Sequence, residues 1–120
     1  MESSVYDRLG GSAALRLVTE AFYRKVLVDE ELAPYFAFVA MDRLIAMQVS
    51  FLTMAFGGPD EYQGPGLREA HARLSDLNDR HFDKVVGYLA DTLREFGVSD
   101  ADIAAAGAVA ESVRNDVLNR

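Results

Sequence analysis

His71, Gln48 and Tyr23 are the side chains of this sequence best placed to do chemistry in an apolar setting. Each falls on or beside a run of apolar residues spaced by three and four. An imidazole on such a face must find a partner, because an unpaired buried polar group costs roughly 1–3 kcal/mol. His71 is therefore either a core histidine bonded to a backbone carbonyl or a metal or haem ligand, since neutral imidazole is a common nitrogen donor to iron. Gln48 carries two donors and an acceptor. It either reaches water at a helix edge or donates to a small bound ligand. Tyr23 is either a core ring with its hydroxyl at the surface or a phenol turned into a pocket. His81 stands ten residues after His71, which is not the i, i+4 spacing of a helical metal pair. It is expected as a partly exposed residue in the first turn of a helix.

The elements that must position these groups all have the helical period. Leu15, Val18, Phe22 and Val26 form one stripe, with Ser12 expected as the cap and Asp29 to Pro34 as the end. Leu44, Ile45, Gln48, Phe51, Leu52 and Ala55 form the next, with Asp42 as its expected cap. Gly57-Gly58-Pro59 stops it, since glycine accepts a left-handed turn and proline cannot continue a helix. A loop from Asp60 to Gly66 leads to a short helix with Leu67, Ala70, His71 and Leu74 on one face. So short an element gains little from helix packing alone, and a bound cofactor would supply the missing contacts. Phe82, Val85, Val86, Leu89, Leu93 and Phe96 predict a long helix from about Asn78 to Gly97. Ser99 and Asp102 suggest a capping-box variant for a last helix bearing Ile103, Ala106, Ala110, Val113 and Val117. No alternating strand pattern is found, so the expected fold class is all-α.

Composition bounds the function. The 120 residues suit one domain, 1–120, with an expected radius of gyration of roughly 14 Å. Half the residues are apolar and 26% are charged, the profile of a folded chain rather than a disordered one. The net charge of −7 argues against nucleic acid and against anionic membrane surfaces as partners. The absence of cysteine excludes disulfides, thiolate nucleophiles and Cys-ligated zinc or iron–sulfur centres. The first residues show no signal-peptide pattern, and Leu44 to Phe56 is too short to span a bilayer, so a cytoplasmic protein is expected. Gly10-Gly11-Ser12 suits either an anion at a helix N-terminus or a turn of positive φ. The acidic runs Asp29-Glu30-Glu31 and Asp60-Glu61 lack calcium-loop spacing and are read as solvated.

Taken in order, several segments resemble the group I truncated haemoglobins, the two-over-two haem globins. They are Tyr6-Asp7-Arg8-Leu9-Gly10-Gly11, Phe22-Tyr23-Arg24-Lys25-Val26-Leu27, Leu32-Ala33-Pro34-Tyr35-Phe36 and Gln48-Val49-Ser50-Phe51-Leu52. Ala55-Phe56-Gly57-Gly58-Pro59, Tyr62-Gln63-Gly64, Arg68-Glu69-Ala70-His71 and His81-Phe82-Asp83 complete the series. The resemblance runs almost end to end. It implies a helical sandwich around a b-type haem, with His71 as the proximal iron ligand and Phe36 against the haem face. On the distal side it implies Tyr23, Leu44, Met47 and Gln48, with Tyr23 and Gln48 as the pair that stabilises a bound ligand. Stripe position adds Phe51, Leu67, Leu74, Phe82, Val86 and Val117 as pocket walls. Arg43 is the expected cation for the haem propionates, with Arg73 and Tyr62 as alternatives.

Two departures from the family pattern matter. Met47 stands where one branch has an iron-ligating histidine, so that histidine mode is closed; Met47 is expected to line the pocket, with its thioether as the alternative sixth ligand. Val113 stands where some members of that branch bear the histidine that bonds haem covalently, so the haem is expected to be non-covalent. The implied activity is reversible binding of O2, CO or NO, with oxidation of nitric oxide to nitrate when oxygenated and a reductase as electron donor. The small apolar side chains near Leu15, Val18, Leu52 and Ala55 are candidates for a gas path. The expected assembly is a monomer or weak dimer. The alternatives are a cofactor-free helical interaction module, which predicts a colourless protein, and a peroxide-handling or sensing haem protein. For peroxide chemistry, Tyr23 and Gln48 are poor proton-transfer groups at neutral pH.

Overall fold

The computed structural model describes residues 4–58, 66, 69, 71, 72, 74 and 76–120. Among them the regular elements are all helical. In chain order they are α1 (Val5–Leu9), α2 (Gly11–Leu27), a 3₁₀ turn (Ala33–Phe36) and α3 (Met41–Ala55). α4 (Asp79–Glu95), α5 (Asp100–Ser112) and α6 (Arg114–Val117) follow. The radius of gyration is 13.8 Å, as the chain length requires. Among the described residues no helix is long and apolar enough to cross a membrane.

Local chemistry sets the helix ends, and it corrects three expected boundaries. Ser12 lies inside α2 and caps nothing. Ser4 caps α1, accepting from the Asp7 N–H at 3.1 Å, and Gly10 at φ 109° closes α1 and opens α2. Only glycine adopts that angle without strain. Asp42 likewise lies within the first turn of α3, behind an extended Ala40, and complements the helix dipole there. The expected last helix is two: Val113 interrupts it, and α6 then sets Arg114 against Asp79 and Asp83 on α4. Two other ends match the sequence. Asn78 caps α4 in a box with His81, and Ser99 caps α5, accepting from the Asp102 N–H at 3.2 Å. Asp102 does not complete a reciprocal box, because its carboxylate takes the Arg8 guanidinium at 2.9 Å instead.

Helix α2 packs on α3 and α4, and α4 packs on α5, so two helix pairs face each other across α2 and α4. One core cluster joins Leu15 and Val18 of α2, Leu52 of α3, Phe56, Leu93 of α4 and Ala106 of α5. The candidate gas-path residues Leu15, Val18, Leu52 and Ala55 thus belong to a packed core. A second cluster gathers Phe22, Tyr23, Val26 and Leu32, with Phe36, Leu44, Ile45 and Tyr88 against it. Two threonines in this interior satisfy themselves. Thr19 and Thr92 are fully buried, and their hydroxyls donate to the Leu15 and Tyr88 carbonyls one turn back, both at 2.7 Å.

Candidate functional site

The second cluster positions the first candidate. Tyr23 projects from α2 and is 6% exposed. Its ring meets Phe22 edge-on at 4.9 Å and Phe36 edge-on at 5.8 Å. Phe36 reaches it because the 3₁₀ turn folds back on the end of α2, with proline at its start. Among the described residues the Tyr23 hydroxyl makes no hydrogen bond. Burial pushes its pKa well above the ordinary phenol value, so the group stays a donor through the physiological range. The sequence set Tyr23 at the edge of its stripe; the structure puts it in the core.

Helix α3 supplies the adjoining wall. Leu44 packs against the Tyr23 cluster, and Gln48 follows one turn later on the same face, half-buried. The Gln48 amide also makes no hydrogen bond among the described residues. Met47 is 37% exposed, and Arg43, one turn before it, is exposed. Phe51 is half-buried against the first core cluster.

His71 lies against the C-terminal end of the chain. It is half-buried and lies in a turn, with Ala72, rather than on a regular helix. Its carbonyl accepts the Leu74 N–H at 3.0 Å and the Asn119 side-chain amide at 2.8 Å. Leu74 and Val117 are half-buried. Phe82 is buried, with the Arg114 guanidinium 4.5 Å over its ring. Val86 lines a narrow cleft between α4 and α5 with Leu89, Ala90, Leu93, Ile103, Ala106 and Gly107. Leu67, Ala70, Arg73 and Tyr62 lie outside the described residues. His81 does not join His71. Its Nδ1 accepts the Asn78 N–H at 3.2 Å, and its Nε2 lies 3.8 Å from Glu31.

The expectation that Asp29-Glu30-Glu31 is simply solvated fails at Asp29, which is 8% exposed. Its carboxylate accepts the N–H groups of Glu31 at 2.9 Å and Leu32 at 3.2 Å, Lys84 Nζ and the Tyr88 hydroxyl. These donors hold its pKa well below the usual carboxylate range, the Tyr88 bond contributing most. Glu31 is lowered too, first through Lys84, and Arg80 reaches it at 2.6 Å. The sequence held only half of the signal. An acid just past a helix C-terminus opposes the helix dipole, so it needs other donors. Lys84 and Tyr88, four apart on one face of α4, supply them.

The donor set fits haem. Among the described residues no group of three His, Asp or Glu side chains gathers to hold a bare metal ion. A lone imidazole suits an iron whose remaining ligands come from a macrocycle. Among the described residues the Tyr23 hydroxyl and the Gln48 amide make no hydrogen bond, neither is a sealed polar atom, and both stand beside apolar walls, where they can donate to a small ligand.

The comparisons with known proteins agree with this geometry. The family described as bacterial-like globin matches residues 4–119. A group 1 truncated haemoglobin from Tetrahymena pyriformis is 41% identical over 98% of this chain and 96% of its own length. Another, from a Synechocystis species, is 44% identical over 98% of this chain and 99% of its own. Among solved structures, a cyanomet 2/2 haemoglobin from a Synechococcus species with covalently attached haem superposes with a TM-score of 0.93. It is 42% identical, over 98% of this chain and 100% of that one. The Fe(III) truncated haemoglobin of Tetrahymena pyriformis also gives 0.93, at 41% identity over 97% and 98%.

Proposed function

Because the chain belongs to the bacterial-like globins as a group 1 truncated haemoglobin, with haem as its cofactor, we propose that it binds O2 reversibly. His71 is the iron ligand, and Tyr23 and Gln48 are the donors on the opposite side. Haem, when bound, supplies the iron at which a diatomic gas binds and the electron exchange that oxidises nitric oxide. The protein residues do the rest. Phe36, Leu44, Met47, Phe51, Leu67, Leu74, Phe82, Val86 and Val117 form the apolar wall that holds the macrocycle and excludes water. Arg43 is the cation for the propionates. Val113 offers no nucleophile, so the haem is held without a covalent bond.

The observation that carries this reading is the Tyr23 phenol: its ring is buried, it is protonated, and its hydroxyl makes no hydrogen bond among the described residues while remaining open to a small molecule. Such a donor gains a partner when a polar diatomic ligand enters. Two donors worth about 0.5–1.5 kcal/mol each slow ligand loss by roughly one to two decades. Nitric oxide, O2 and one electron together give nitrate. Turnover by that route therefore needs an electron-donating reductase. The protein acts as a cytoplasmic monomer or weak dimer.

Absorption spectra of the purified protein, oxidised, reduced and reduced with CO, test the proposal. A Soret band that sharpens and shifts with CO supports it. The His71→Ala variant should lose stable haem. Full retention by that variant removes His71 as the ligand, and no band in the parent with haem supplied leaves a helical interaction module.

A further inference from the structure

The peptide of His71 is held from the far end of the chain. Asn119 donates its side-chain amide to the His71 carbonyl at 2.8 Å, across 48 residues of sequence. Asn119 also has φ 59° and is the one residue other than glycine with positive φ among the described residues. The reason is the closure of α6. The Arg120 N–H donates to the Asn115 carbonyl at 2.8 Å, and the Asn119 N–H to the Asp116 carbonyl at 3.4 Å. That pair of bonds, six-to-one outside five-to-two, is a Schellman ending with Asn119 at the left-handed position. Glycine is the usual residue there, because it has no Cβ to strain. Glycine has no amide to give.

The ending is itself anchored. Leu118 is buried beneath it, and the Arg120 guanidinium grips both carboxylate oxygens of Asp79 at 3.0 and 3.1 Å. The Asn119 side chain is therefore aimed by fixed backbone, not by its own flexibility. The His71 carbonyl takes two donors, Leu74 N–H and Asn119, which fixes the plane of the peptide from which the imidazole projects.

We propose that Asn119 is a positioning residue for the proximal histidine. Its amide, presented by the left-handed closure of α6, sets the orientation of the His71 peptide and thereby of the imidazole on the iron. The proposal rests on the reading of His71 as the iron ligand.

The test uses the haem-loaded protein in its ferrous, ligand-free form. The readouts are the iron–histidine stretching band in resonance Raman spectra, the rate of haem transfer to an excess of a haem-scavenging globin, and the Tm of the haem-free protein. The variant Asn119→Gly keeps the left-handed closure and deletes the amide. It should shift or broaden the iron–histidine band and speed haem transfer about three- to tenfold, the size of one hydrogen bond, with little change in Tm. Asn119→Asp replaces the donor with an acceptor and should move the band the same way. An unmoved band in both variants overturns the proposal. So does a band shift in Asn119→Gly matched by a large fall in Tm, which would make the residue a fold-holding one only. His71→Ala separates the two readings: if the parent's iron–histidine band survives that substitution, the ligand assignment has failed, and the role of Asn119 falls with it.

Discussion

The Tyr88 hydroxyl on α4 donates to the carboxylate of Asp29, two residues past the end of α2. Lys84, one turn earlier on α4, closes on the same carboxylate at 3.0 Å. Asp29 in turn accepts from the backbone of Glu31 and Leu32. The chain therefore leaves α2 in a fixed direction, and the next residues form the 3₁₀ turn that brings Phe36 to Tyr23. Electrostatics outside the pocket thus set an aromatic wall inside it.

That cluster gives stability a stated pH dependence. The carboxyls of Asp29, Glu31 and Asp79 are lowered by their partners. Their contribution is complete above the ordinary carboxylate values of about 4 and is lost as pH falls through them toward the lowered ones. Tyr88 and Lys84 are raised, so their contribution is complete below about 10 and is lost as pH rises past it. Asp29→Asn should be less stable than the parent at pH 7, with the difference shrinking between about pH 5 and 2. Denaturant midpoints measured across that range check it. Parallel curves would remove Asp29 from the acid response.

Replacing Tyr23 by Phe should separate stability from function. The hydroxyl has no hydrogen bond among the described residues, so its removal should leave the haem-free protein as stable as the parent or slightly more so. O2 should leave the ferrous variant about ten times faster. In the parent, the rate should show no titration of this phenol up to about pH 10, because burial raises its pKa. Stopped-flow O2 release measures both effects.

Gly58 is a packing constraint at the seam of α1 and α3. A Cβ there would lie 2.7 Å from the Tyr6 ring and 2.8 Å from Thr53 Cγ2. The Tyr6 N–H also donates to the Phe56 carbonyl at 2.9 Å, so α1 cannot simply step aside. Gly58→Ala should cost about 1–3 kcal/mol in chemical unfolding. A neutral result would mean that α1 is loosely held.

Leu93 is 1% exposed and ties α4 to the cluster of Leu15, Leu52 and Ala106. Leu93→Ala should cost about 2–5 kcal/mol and lower Tm by roughly 10–20 °C. A calorimetric scan decides it, and a loss under about 1 kcal/mol would show that the site collapses around the gap.

The helices and their inward faces were legible because apolar spacing is a local, repeated signal. Leu15, Val18, Leu52, Leu93 and Ala106 all lie in the core where the stripes put them. Boundaries were less so. Ser12 and Asp42 look like caps in sequence, but a left-handed Gly10 and an extended Ala40 begin those helices instead. The break at Val113 carried no proline or glycine to announce it. At the candidate site, Tyr23, Gln48 and His71 stood out as polar groups on apolar faces. The clamp at Asp29 did not, because its partners lie 55 and 59 residues away. The Asn119 contact was hidden for the same reason. Local composition describes a side chain's own turn of helix, not the distant backbone group that it meets.

The Arg8–Asp102 bond spans 94 residues. During synthesis at about 5–20 residues per second, α1 leaves the ribosome roughly 5–20 s before the helix that carries its partner exists. The tie between α1 and α5 therefore forms late, onto a helix that has already had α2 and the Phe56 carbonyl to rest on.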